Sequence, residues 1–189
     1  MNATDIRNEP MRIAGERVRG ARTLDVMNPF TGGRVGTVPK ATIDDVRRAI
    51  AAALAYKPKL TRYDRYAILY KAAEILRGRA DAISDLITAE SGLGKKDSMY
   101  EVGRACDVFV FAGNAALTDD GQVFSCDLTP HGKSRKVYTL REPLRGVITA
   151  ITPFNHPLNQ VAHKIAPSVA TNNRMIVKPT RPEDRRVGK

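Results

Sequence analysis

Apolar residues follow two different rhythms along this chain, and the change of rhythm divides it. From Thr42 to Leu117 they recur three and four apart, the spacing that lines one side of a helix. Thr42 followed by Asp45, and Thr61 followed by Asp64, are helix-start signals in which hydroxyl and carboxylate each satisfy a backbone N–H. The first predicted helix runs through Val46, Ala49, Ile50 and Ala53 toward Tyr56 and stops at Pro58. The second carries Ile68, Leu69, Ala72, Ile75 and Leu76 on one face and breaks or bends at Gly78. Ile83, Leu86 and Ile87 supply a third face, ended by Gly92 as a C-cap. Lys95 to Leu117 reads as one long helix with Val102, Cys106, Phe109, Val110 and Gly113 on one side.

Outside that region the pattern is extended. Residues 12 to 39 read as short strands with turns at Asn28-Pro29 and Thr31-Gly32-Gly33. After Asp119-Asp120-Gly121, segments 122–128 and 136–141 read as two strands joined through Pro130-His131-Gly132. Residues 146–152 then form a buried strand, because Val147, Ile148, Ala150 and Ile151 leave little polar edge. A turn with Pro153 and Asn155 leads into a helix over 158–171, with Val161, Ile165 and Val169 spaced by four and Pro167 kinking it or tightening its end. A second short buried strand covers 175–177. Strand, turn, helix, strand is the opening of a doubly wound parallel sheet, whose carboxyl edge collects nucleotides. The expected fold class is therefore α/β. Segment 1–40 is extended, 41–121 a helical layer, 122–142 a two-stranded excursion, 143–180 the first βαβ unit of a nucleotide-binding domain, and 181–189 a tail.

Composition narrows this only a little. Hydrophobic residues at 42% and charged residues at 27% are ordinary for a globular protein. No apolar run approaches the roughly 20 residues that span a bilayer, and residues 1–18 show no signal-peptide core. Cys106 and Cys126 lack metal-ligand spacing and read as reduced thiols of a cytoplasmic protein, with no metal expected. The net charge of +11 raises nucleic-acid binding. The basic residues are interspersed with Asp and Glu, without a stripe of Lys/Arg and aromatics. A basic surface that attracts anionic substrates is the favoured reading, with neither nucleic acid nor membrane as a partner.

The residues GVITAITPFNHPLNQVAHKIAPSVATNN and MIVKP resemble the aldehyde dehydrogenase superfamily, and the helical region 42–117 looks like that family's N-terminal helical layer. The resemblance covers about residues 12–180. REPLRGVI followed by PFNHPLNQVAHK is similar to the branch handling small, often anionic aldehydes: phosphonoacetaldehyde, lactaldehyde and glyceraldehyde 3-phosphate. It implies oxidation of an aldehyde with NAD or NADP as cofactor, in proteins whose full-length members are homo-oligomers. It implies that Asn155 donates to the aldehyde oxygen, where a preorganised donor is worth on the order of 3 kcal/mol to a developing oxyanion. Ile151, Thr152, Pro153 and Phe154 match the turn that lies along the cofactor, and Lys178 matches the lysine bonding the adenine-side ribose. Arg104 and His156 match residues facing the charged group of an anionic substrate. On the residues alone, each has a plainer reading. Asn155 and His156 could be ordinary turn residues, Phe154 core, Lys178 surface, and Arg104 a partly buried partner of Glu101 or Asp107.

The resemblance also has gaps. Arg181 stands where an acid is usual, and RPEDRRVGK starts no apolar helix face. Neither cysteine matches the family's nucleophile, and the family's general-base glutamate lies further along a longer chain. These gaps predict a truncated or frameshifted frame, or a deliberately shortened chain, inactive alone. A two-strand start of the sheet predicts an open edge and an uncovered apolar face, with aggregation, disorder near 172–189, or need of a partner. The alternatives are a non-catalytic module that pairs with full-length subunits and, more remotely, a basic nucleic-acid-binding protein.

Overall fold

The computed structural model describes residues 7–57, 59–118 and 121–180. The Pro58 helix stop, the Asp119-Asp120 part of the predicted turn, Arg181 and the tail all lie outside the described residues. The amino-terminal segment is β1 (Arg7–Asn8), β2 (Met11–Ile13), β3 (Glu16–Val18), β4 (Thr23–Met27) and β5 (Arg34–Pro39). β2 pairs antiparallel with β3, and β5 lies between β1 and β4. The Asn28 turn joins β4 to β5, its side-chain oxygen accepting from the N–H groups of Phe30 and Thr31 at 2.9 and 3.0 Å.

The helical layer is α1 (Ile43–Ala55), α2 (Arg62–Gly78), α3 (Ala80–Ser91) and α4 (Lys95–Leu117). Both predicted capping boxes are present. Asp45 accepts from the Thr42 N–H at 2.9 Å, and Asp64 from the Thr61 N–H at 2.9 Å. Hydrogen bonds from Thr42, backbone first, hold the Asp45 carboxyl below the usual range. The Thr61 hydroxyl and then its N–H do the same for Asp64. Gly92 ends α3 with φ +75°, where an added Cβ would meet Pro29 Cγ at 3.0 Å. Glycine is needed there both for the left-handed conformation and for space.

α2, α4 and a later helix, α5 (Asn159–Ala170), make the core. Leu69, Ala116, Ala166 and Ala170 form one cluster, and Ile87, Val102 and Cys106 another, closed by Leu76, Ile83 and Leu158. Two predicted faces are rotated. On α2 the buried residues are Leu69 and Ala73, while Ile68 and Ile75 are about half exposed at 47% and 49%. On α5 the buried positions include Ala162 and Ala166, one residue on from the Val161 and Ile165 stripe, which is only half-buried. The alanines allow close approach to α4, so the smaller side chains occupy the tightest contact. α1 has no buried residue despite its apolar stripe.

β6 (Gln122–Ser125) and β7 (Lys136–Thr139) form an antiparallel hairpin exposed at every position. The chain then makes β8 (Ile148–Ile151), α5 and β9 (Met175–Lys178), with β8 and β9 parallel. This is the predicted βαβ unit. Burial departs from expectation: Ala150 is buried, but Ile151 is 64% exposed. Pro167 lies inside α5 and does not end it, since the helix continues to Ala170 and Thr171 N–H bonds the Pro167 carbonyl at 3.0 Å.

Charged groups of the helical layer grip both ends of α5. The Glu101 carboxylate on α4 accepts from the N–H groups of Leu158 and Asn159 at 2.8 and 2.9 Å. The Arg65 guanidinium on α2 donates to the Ala170 carbonyl. An acid at the N-terminus and a base at the C-terminus both complement the helix dipole.

Candidate active site at the carboxyl edge of the parallel strands

β8 and β9 are in register with Ile151 opposite Lys178, and the Thr152 N–H bonds the Lys178 carbonyl at 3.3 Å. The two strands therefore end together. The turn carrying Pro153, Phe154 and Asn155 and the side chain of Lys178 leave the same edge, where open α/β sheets gather ligands. Thr152 is buried at 6% exposure and anchors the turn; Phe154 is 46% exposed and not core. Asn155 is exposed, and among the described residues its amide has no hydrogen-bond partner. Lys178 is exposed and its Nζ donates only to its neighbour Pro179 carbonyl, at 3.3 Å, among the described residues.

The other two predicted residues have different settings. His156 follows Asn155 directly, and its Nδ1 lies 3.5 Å from Glu101 Oε2. Arg104 is exposed rather than partly buried, and its guanidinium carbon sits 5.9 Å above the Tyr100 ring. Glu101, expected as a possible ion partner of Arg104, is instead turned inward to α5, with 1% exposure. Its place beneath the turn was missed in the sequence. The signal was there: an acid within the apolar run Val102-Ala105-Cys106, and a helix start at Leu158 without a capping side chain of its own.

Neither thiol belongs to this edge. Cys106 on α4 is packed with Val102 of the same helix and Ile87 of α3, and burial pushes its thiol pKa up, which disfavours the thiolate. Cys126 follows β6, its N–H bonded to the Arg135 carbonyl at 3.1 Å. Among the described residues there is no group of three or more His, Cys, Asp or Glu that could hold a metal ion. No helix among them is long and apolar enough to cross a membrane.

Comparison with known proteins agrees with this fold. The aldehyde dehydrogenase family profile matches residues 17–183. The chain is 32% identical over 177 residues to 3-sulfolactaldehyde dehydrogenase of Priestia aryabhattai, covering 93% of this chain and 37% of that protein. It is 33% identical to lactaldehyde dehydrogenase of Methanococcus aeolicus, covering 90% and 36% of the two chains. Among solved structures, aldehyde dehydrogenase 21 from Physcomitrella patens, in complex with the product succinate, superposes with a TM-score of 0.88 at 32% identity, over 93% of this chain and 37% of that one. NADP-dependent glyceraldehyde-3-phosphate dehydrogenase from Bacillus halodurans, complexed with NADP, gives 0.87 at 30% identity, over 95% and 39%. The chain thus spans little more than a third of the length of the relatives it matches. With the profile running from the amino-terminal strands through the parallel pair, the chain belongs to the aldehyde dehydrogenase family.

Proposed function

We propose that this chain is the N-terminal portion of an NAD(P)-dependent aldehyde dehydrogenase that oxidises a small, anionic aldehyde to its acid. One observation carries the reading: the Asn155 turn and Lys178 leave the carboxyl ends of adjacent parallel strands, opposite one another in register. The donor set suits a dinucleotide. The exposed Ile151 and Phe154 side chains give an apolar wall, rigid at Pro153. The Lys178 ammonium can donate to ribose hydroxyls. Hydride acceptance is the chemistry the dinucleotide supplies when bound. Asn155, whose amide has no hydrogen-bond partner among the described residues, donates to the aldehyde oxygen as charge develops there. Arg104 and His156 meet the substrate's anionic group. Support for an anionic substrate comes from relatives whose names specify sulfonate- and phosphate-bearing aldehydes.

Oxidation through a thiol adduct needs a thiolate that neither Cys106 nor Cys126 is placed to supply, so the 189 residues alone bind without turning over. Calorimetric titration with NAD and with NADP tests this. One dinucleotide should bind, Lys178→Ala should weaken it about tenfold, equivalent to about 1.4 kcal/mol, and Asn155→Ala should change it less than about twofold. Binding of neither dinucleotide would overturn the proposal.

A second reading is a module that pairs with full-length subunits. The β6–β7 hairpin favours it, with Val123 and Tyr138 exposed at 70% and 68%. Co-expression with a tagged full-length relative, followed by size-exclusion chromatography, separates a paired chain from a free one.

A further inference from the structure

Among the described residues Glu101 is the one charged side chain that is buried, and no lysine or arginine pairs with it. A carboxylate removed from water is costly unless hydrogen bonds and opposite charge replace the solvent. Here the replacement is the N-terminus of α5, reached from 57 and 58 residues earlier in the chain. Only Oε1 is used there. Oε2 has no hydrogen bond and faces His156 Nδ1, itself buried and otherwise without a partner, at 3.5 Å. Two unpartnered buried polar atoms face each other across a gap that a proton on Nδ1 would bridge.

These contacts bracket Asn155. Its following residue touches Oε2, and the N–H groups three and four residues on are held by Oε1. On the other side, Thr152 is tied to β9. We propose that Glu101 is a positioning residue for the mouth of the site. It fixes the turn that presents Asn155, acting through the Leu158 and Asn159 N–H groups and through the His156 ring in its Nδ1–H form. Its relevance to catalysis rests on the reading of Asn155 as the donor to the aldehyde oxygen; its effect on the turn does not.

The test is nuclear magnetic resonance on the isotopically labelled full chain. In the wild type, His156 should carry its proton on Nδ1 in the neutral form, and the Leu158 and Asn159 amides should be protected from exchange. Glu101→Gln, which keeps the shape, should speed exchange at those two amides at least about tenfold. It should also shift the Asn155 side-chain amide and the His156 ring resonances, while the Leu69 amide in the core keeps its protection. Glu101→Asp, which keeps the charge, should move them less. A plain helix cap would speed the two amides but leave the Asn155 and His156 resonances in place, and that result overturns the proposal. So does a wild-type His156 with its proton on Nε2, a measurement that needs no variant to fold. Dinucleotide titration of the wild type reads the functional assignment separately. A chain that fails to bind but shows these resonances loses the enzyme reading and keeps the positioning residue.

Discussion

The α2–α4–α5 contact and the β8–β9 pair are both written in apolar residues, yet they end in opposite states. Leu69 and Ala166 are buried at 1% and 0%, whereas Ile151 is 64% exposed at the end of its strand. Each of these three helices finds a complement in the other two, down to charges for the ends of α5. Among the described residues the strand pair has no further strand on either side, and α5 with the end of α1 is what packs against it. An apolar run therefore states a capacity for burial, and the neighbours decide whether it is used. At this edge the unused capacity coincides with the residues proposed to meet the cofactor.

The largest expected effect breaks the helical side of the comparison. Leu69→Ala should cost about 2–4 kcal/mol, because the close-packed α2–α4 contact cannot collapse around the lost side chain. Urea denaturation followed by helical circular dichroism measures it. A loss below about 1 kcal/mol would mean that this core is looser than the packing implies.

Next in size is the grip on α5. Arg65→Met keeps the apolar stem and removes the guanidinium that meets the Ala170 carbonyl. The expected cost is about 1–2 kcal/mol from the lost charge–dipole contact and hydrogen bond. The same denaturation should show it. Addition of salt should narrow the gap only slightly, since the contact is partly buried.

A smaller effect comes from the local signals. Thr61→Ala should cost about 1 kcal/mol as a lost N-cap. Its pH dependence has a defined sign. Asp64 is lowered in the folded state, so its contribution is fully present above the unfolded carboxyl value of about 4 and disappears as pH falls through the folded one. The difference between wild type and Thr61→Ala should therefore shrink on acidification. A difference that grows toward low pH would contradict the hydrogen-bond cause.

These local features were the most legible in the sequence, because a capping box needs only residues three apart. The helix extents were legible for the same reason, and the strand–turn–helix–strand unit from the change of apolar rhythm; Asn155 and Lys178 were singled out only through the resemblance of their motifs to a known family. Faces were harder. On α2 the stripes through Ile68 and Ile75 and through Leu69 and Ala73 are adjacent, and choosing between them requires knowing where α4 and α5 lie. The alanine face of α5 was missed because large side chains dominate a hydrophobicity pattern, while close helix contact selects small ones. Glu101 was the hardest. Within its helix it looks like an ion partner for Arg104 three residues on, and nothing near it in sequence reveals that its partners are the N–H groups of residues 158 and 159.

The smallest expected effect falls on the strand side and is the sharpest test of the contrast. Ile151→Thr retains the β-branched side chain that suits a strand and removes apolar surface that the chain leaves in water. Its cost in stability should be within about 0.5 kcal/mol, as for surface substitutions generally. Dinucleotide affinity should still fall, because the residue forms part of the proposed wall of the mouth. Denaturation at two protein concentrations makes the outcome decisive. If the wild type becomes more stable with concentration and Ile151→Thr abolishes that dependence, Ile151 is buried against a second molecule in solution. If neither chain depends on concentration and the variant still loses more than about 1.5 kcal/mol, the strand end is packed within the chain, and the contrast between the two regions fails.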